Sequence, residues 1–183
     1  MLANRIIGAS IKFYEDTFDV DSTGSYTQSS DSPGTWSIAS GELSGINGTQ
    51  SVFIRNGTSY TDVKIECDIN QAQDAGLVVR FINNSNYYLL ALADDSSVTP
   101  TQNLRLFKRV SGTYTQLASA DITWARGTSN TVRFSASGTT LSALVNGTSA
   151  LSVTDSALSS PGGVGMRNNA STASKYQAFR WGM

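Results

Sequence analysis

Hydrophobic and polar residues alternate with a period of two along most of this chain, and turn-forming residues interrupt the alternation about every ten positions. The clearest runs are Thr61 to Asn70, Gly76 to Ile82, Asn86 to Ala93, Asn103 to Val110, Tyr114 to Ala120, Thr131 to Ser137 and Thr140 to Val145. Between the runs stand Asn56-Gly57, Asn83-Asn84-Ser85-Asn86, Ser111-Gly112, Ser137-Gly138, Asn146-Gly147 and Pro161-Gly162-Gly163. Asn and Gly accept the positive φ that tight hairpins demand, so these separators read as β-turns. Helical periodicity bounded by caps is absent from every window of about eleven residues or more. The pattern predicts an all-β chain of about twelve to fourteen short strands. A single open sheet that wide would leave a hydrophobic face in water, so the expected architecture is a two-sheet antiparallel sandwich.

Residues 13–183 read as one such domain, with its first clear strand at Phe13 to Phe18, no repeat of fixed period and no Pro-rich linker. Met1 to Lys12 differ, carrying Ile6, Ile7 and Ile11 between two cations, Arg5 and Lys12. An N-terminal arm (1–12) that docks these isoleucines on a partner is the functional expectation. A frayed or edge-paired terminus is the bland one.

Composition narrows the chemistry. The chain of 183 residues has a net charge of −1, 15% charged residues, 27 Ser, 19 Thr and 16 Gly. Near-neutrality with only 13 Lys and Arg leaves no basic field for nucleic acid or an anionic membrane, and neither is expected as a partner. With no histidine, Ser-His-Asp and Cys-His catalysis, His-ligated zinc and a histidine pH switch are excluded. The single cysteine, Cys67, alternates with Val63, Ile65 and Ile69 and is expected as a buried structural thiol. Ile6-Ile7-Gly8-Ala9 is too short for a signal-peptide core, and the longest apolar run, Tyr87 to Ala93, falls far below a membrane span. Synthesis in a cytoplasm without a cleaved signal is therefore expected.

One ordered set of segments carries a resemblance. It runs from Asp16-Thr17-Phe18-Asp19 through Gly34-Thr35-Trp36-Ser37-Ile38, Gly41-Glu42-Leu43 and Tyr60-Thr61-Asp62-Val63. It continues with Ala75 to Phe81, Asn86 to Leu90 and Leu104 to Lys108, and closes with Val145-Asn146-Gly147, Thr154-Asp155, Gly163 to Met166 and Phe179. In this order the segments resemble the laminin-G-like and concanavalin-A-like jelly rolls over roughly Phe13 to Met183. The resemblance implies two curved sheets whose concave face and rim loops form the usual ligand surface. Lectins, carbohydrate-binding modules, glycosidases and adhesion domains share that fold, so function has to come from the site.

Three chemistries are candidates. Laminarinase-type members of the fold carry three acids on one strand, and the nearest match is Glu66-Cys67-Asp68-Ile69-Asn70-Gln71, where Asn70 and Gln71 replace the third acid. An amide cannot donate the proton a leaving oxygen needs, so Lys64, Glu66 and Asp68 read as a solvated strand face and catalysis is not expected. Calcium is the ion left open by Asp16, Asp19, Asp21, Asp74 and Asp94-Asp95, although turn formation explains these residues equally. No metal or cofactor is required. The candidate glycan surface comprises Arg80 and Arg105, each alternating away from the core, Asn86, whichever of Tyr87 and Tyr88 points outward, and Trp124 in a loop. Trp36 and Trp181 read as core. The Asn-x-Ser/Thr triplets at Asn47, Asn56, Asn83, Asn146 and Asn169 read as turns.

The Ser/Thr/Gly-rich, histidine-free sandwich with a short arm also resembles lectin-like domains of bacteriophage virion proteins. The expected function is a non-catalytic carbohydrate-binding or adhesion module of a virion, a tail or capsid decoration protein. Its expected partners are cell-surface glycans, other virion subunits and copies of itself in an assembly. The alternatives are a purely structural virion protein that cements its neighbours and, third, a glycan-cleaving enzyme.

Overall fold

The computed structural model describes residues 13–70, 74–94, 102–122, 128–171 and 173–183. Among them lie β1 (Tyr14–Asp16), β2 (Tyr26–Ser29), β3 (Thr35–Ala39), β4 (Glu42–Ile46) and β5 (Ser51–Arg55). The middle of the chain forms β6 (Val63–Asn70), β7 (Asp74–Asn83), β8 (Asn86–Asp94), β9 (Gln102–Val110) and β10 (Thr113–Asp121). Then follow β11 (Asn130–Ser137), β12 (Thr140–Val145), β13 (Thr148–Thr154), β14 (Gly163–Asn168) and β15 (Ser174–Gly182). One 3-10 turn at Thr23–Ser25 is the helical element among the described residues.

The seven alternating runs became β6 to β12, with ends displaced by two residues at most. Their hairpins use the expected turns. Ser111 and Gly112 (φ 50° and 82°) join β9 to β10, and Asn146 and Gly147 (φ 50° and 79°) join β12 to β13. Both central residues lie at positive φ, the geometry whose twist matches the flanking strands. Alternation failed to announce β5 and β14 because these strands are covered on both faces, and all six residues of β14 are buried.

The strands form two antiparallel sheets packed as a sandwich. One has the order β13-β12-β11-β6-β15-β4-β3, with β1 added on β15; the other runs β10-β9-β8-β7-β14-β5-β2. The core between them draws Val63, Ile65 and Ile69 from the first sheet and Leu77, Leu90 and Leu106 from the second, all essentially inaccessible to water. Trp36 stacks on Phe53 at 4.9 Å, and Trp181 packs beside Phe179, as their sequence contexts suggested. Cys67 is buried among the same residues, and desolvation raises its thiol pKa far above the ordinary range, which keeps it unreactive.

Strand β7 carries the irregularity that matters for the site. Its register with β8 shifts between Val79 and Asn83, and Arg80 sits there at φ 49°. The bulge places Val79 and Arg80 on the inner side in succession and returns Phe81 to the outside against Tyr87. Arg80 is 1% exposed and donates to three backbone carbonyls: Nε to Thr61, Nη1 to Leu158 and Nη2 to Gly138, at 2.7, 2.9 and 2.6 Å. The expectation of an outward, ligand-facing Arg80 is thus corrected. A bulge invisible to simple alternation turned it inward to tie three loops together.

Candidate functional site

The outer face of the seven-stranded sheet is strongly concave, as one hydrogen bond demonstrates. Tyr114 on β10 donates to Gln50 Oε1, just before β5, at 2.8 Å. These strands stand five places apart in the sheet, about 24 Å if it were flat, far beyond the combined reach of the two side chains. The sheet must therefore curl until its ends meet over its outer face. A second contact makes the same crossing. Asp31, in the connection after β2, accepts from Arg109 Nη2 on β9 through both carboxylate oxygens, at 3.0 and 2.9 Å.

The floor beneath these crossings is apolar. Val52, Ile54, Val78, Tyr87, Leu89 and Ala91 form a buried cluster on this face, separate from the main core, with Phe81, Phe107 and Tyr114 packed against it. Strand register explains the grouping: Leu89 lies opposite both Val78 and Phe107, and Arg109 lies between Tyr87 and Tyr114.

Across that floor runs a connected polar line. Arg109 stacks its guanidinium over Tyr114 at 4.9 Å and near Tyr87 at 6.0 Å, and the two tyrosine hydroxyls are hydrogen-bonded to each other. Gln50 Oε1, which accepts from Tyr114, also accepts from Arg167 Nε at 3.0 Å. Arg167 pairs with Asp74 through both terminal nitrogens, and Asn169 donates to the same carboxylate. Burial, then the neighbouring Tyr87, pushes the Tyr114 phenol well above its ordinary range. At Arg109 burial opposes the charge, and Asp31 with the adjacent tyrosines outweighs it, so the guanidinium stays charged. Phenols, guanidinium groups and an amide above an apolar floor can stack on a sugar ring and hydrogen-bond its hydroxyls.

The sequence-derived candidates divide. Tyr87 faces the concave side. Tyr88 faces the core, where its hydroxyl donates to Asp155 Oδ1 at 2.6 Å and accepts from Leu158 N; burial, then the Asp155 bond, raises its pKa to about 12. Arg105 lies opposite Ala91 and Ser119 on the concave face, half-buried, without a hydrogen bond or ion pair among the described residues. The half-exposed Asn86 side chain donates to Asn83 Oδ1, closing the β7–β8 turn, and accepts from Ser111 N. Trp124, Ile6, Ile7 and Ile11 lie outside the described residues.

Glu66 accepts two bonds from Arg133 and one from Arg180, and Asp68 accepts from Thr131, so the former candidate acids sit in a cross-strand network. Asp16 and Asp21 accept from neighbouring loop groups and Asp74 from Arg167. Among the described residues no three His, Cys, Asp or Glu gather as a metal site.

Sequence reasoning missed Arg109, Tyr114, Asp31, Gln50 and Arg167. Period-two counting could have found Arg109, four residues beyond Arg105 on the same strand and so on the same face. Asp31 and Gln50 lie in connections, and no local pattern signals that they cross a curled sheet.

No protein-family model and no curated protein sequence matches the chain. Solved structures do. A carbohydrate binding module from Bacillus subtilis, CBM66, superposes with a TM-score of 0.74 at 17% identity, covering 87% of this chain and 96% of that one. A Bacillus subtilis protein of unknown function with a galectin-like fold gives 0.72 at 13% identity, covering 94% and 98%. The fold is a galectin-like jelly roll. The GH43 protein BlXynB from Bacillus licheniformis matches at 0.65 and 16% identity, but there the sandwich spans only 39% of the longer chain. At these identities the likeness establishes the jelly-roll sandwich, and function rests on the residues.

Proposed function

We propose that this chain is a non-catalytic glycan-binding module and that its ligand surface is the concave face of the seven-stranded sheet. The observation that carries this reading is the convergence of Tyr114, Arg105 and Arg109 above the buried floor of Val78, Tyr87 and Leu89. A solved carbohydrate binding module shares the fold over nearly its whole length, which supports the same reading. The non-catalytic half rests on Glu66, whose two oxygens are held by arginines on the opposite, convex side of the sandwich. Affinity per site is expected near the millimolar range, since each sugar hydrogen bond replaces one to water. Many copies on one particle would turn that into firm attachment. A phage virion, with residues 1–12 seated on neighbouring subunits, is the setting we propose; it rests on the Ser/Thr/Gly-rich composition and on that need for copies.

A glycan array probed with a multivalent display of the full chain tests the proposal. Binding to a surface polysaccharide that falls sharply for Arg105→Ala and Tyr114→Ala is the expected result. Absence of binding to any glycan, or binding indifferent to both substitutions, overturns it in favour of a structural sandwich.

A further inference from the structure

Arg109 is the most unusual group on the concave face. Its residue is 7% exposed, its Nε donates to Gly112 O at 3.2 Å, and its Nη2 alone serves both oxygens of Asp31. Buried Nη1 has no hydrogen-bond partner. A carboxylate free to choose its position would straddle Nη1 and Nη2 in two parallel bonds, the geometry a guanidinium favours most. Asp31 cannot choose its position. It is tethered in the connection after β2, which Ser32 pins to Thr49, and it reaches Arg109 from the opposite end of the sheet. An internal carboxylate therefore occupies this guanidinium in an inferior arrangement, and Asp31 itself remains 38% exposed.

A second residue shows the same incompleteness. Asn84 donates its Nδ2 to Asp31 Oδ1 at 2.7 Å, while its buried Oδ1 is without a partner. Around Asp31 the chain thus presents two nitrogen donors for a carboxylate, a further unused donor, and an unused acceptor suited to a hydroxyl. Tyr114, half-buried, lies alongside as an apolar face for a ring, backed by the buried Tyr87. A carboxylate, a neighbouring hydroxyl and a ring face are the recognition elements of a uronic acid.

The geometry points to a carboxylate-binding subsite formed by Arg109, Asn84 and Tyr114 over the buried Tyr87, for uronate residues of an acidic glycan, with Asp31 as an internal stand-in that the ligand displaces. This rests on the glycan-binding reading of the same face and names the ligand's chemical class and the contact that regulates access. Displacement exchanges one carboxylate for another, so the buried guanidinium never loses its counter-charge, the state that would be most costly. The closed form reduces apparent affinity in proportion to the fraction of molecules that have opened.

The test is calorimetric titration of the full chain with a galacturonate hexamer and with the same hexamer fully methyl-esterified, which keeps the sugars and removes the charge. The expected result is weak binding of the acid by the unaltered protein, a gain of roughly tenfold for Asp31→Ala, and no gain for the ester. Adding Arg109→Gln to Asp31→Ala should abolish the gain. Asp31→Asn repeats the comparison should the alanine variant fail to unfold cooperatively, since it keeps the loop polar while removing the charge. Folded Asp31 variants with no gain, or with equal gain for acid and ester, overturn the inference. If neutral glycans bind on the array while the hexamer binds to no variant, the inference falls and the module reading stands. Failure of every glycan overturns both.

Discussion

The two outward faces of this sandwich use charge in opposite ways. On the eight-stranded sheet, Glu15, Arg180, Glu66 and Arg133 form a ladder across β1, β15, β6 and β11, and every ion pair in it joins residues directly opposite in adjacent strands. The arginines there are a third or more exposed. On the concave face of the seven-stranded sheet, Arg167 and Arg109 are each more than nine-tenths buried, and Asp31 reaches Arg109 from five strands away. Cross-strand ladders follow from register alone and gain little in a high dielectric. Buried pairs cost desolvation and persist only where further hydrogen bonds hold them, as Gln50 and Asn169 do around Arg167 and Asp74. Ordinary surface chemistry covers one face, and the other carries buried charge above an apolar floor.

The sharpest way to break this contrast is Arg167→Met. It keeps much of the aliphatic stem and leaves Asp74 without its buried counter-charge. A loss of about 3 kcal/mol in denaturant unfolding is expected, moderated by the partial exposure of Asp74. A loss below about 1 kcal/mol would mean the concave pairs behave like surface pairs.

An intermediate effect appears in alkali. The Tyr114 phenol titrates above its ordinary value of 10.0 in the folded protein. Above about pH 10 the unfolded chain has therefore released a proton that the native state still holds, and stability falls as pH rises. The contribution is fully present below pH 10. Tyr26 and Tyr176 are raised as well, chiefly by burial, so Tyr114→Phe should flatten the decline between pH 9 and 11 without abolishing it. Chemical-denaturant midpoints across that range measure it, and an unchanged slope would remove Tyr114 from the buried set.

These experiments bear on what the sequence could reveal. Strands β6 to β12 were legible because each has one wet and one dry face, or turn residues sharp enough to bound it. Strand β14 was not, because burial on both sides erases alternation from Gly163 to Asn168. Within the site, Arg105 and one of the pair Tyr87 and Tyr88 were legible as outward candidates from period-two counting, which did not choose between the tyrosines. Arg80 was misplaced by the bulge at φ 49°, and the turn-closing bonds of Asn86 were not visible in the alternation. Asp31 and Gln50 reach their partners only because the sheet curls, and curvature is a property of the packed whole that no single strand encodes.

The smallest expected effect sharpens the comparison from the other side. Arg133→Ala removes two bonds to Glu66, whose other oxygen keeps Arg180 at 3.1 Å, so the carboxylate retains a counter-charge and access to water. The guanidinium removed was already 41% exposed, so the pair it made was weak in water, and hydration of the freed Glu66 oxygen offsets most of the lost Coulomb energy. A change below about 1 kcal/mol is expected, shrinking further as salt is raised from 0.05 to about 0.5 M, where the screening length falls to a few ångströms. A larger or salt-independent loss in urea unfolding would show the ladder to be desolvated like the concave face. The two faces would then differ in shape and not in electrostatics, and the case for assigning ligand binding to the concave one would rest on Tyr114 and the apolar floor alone.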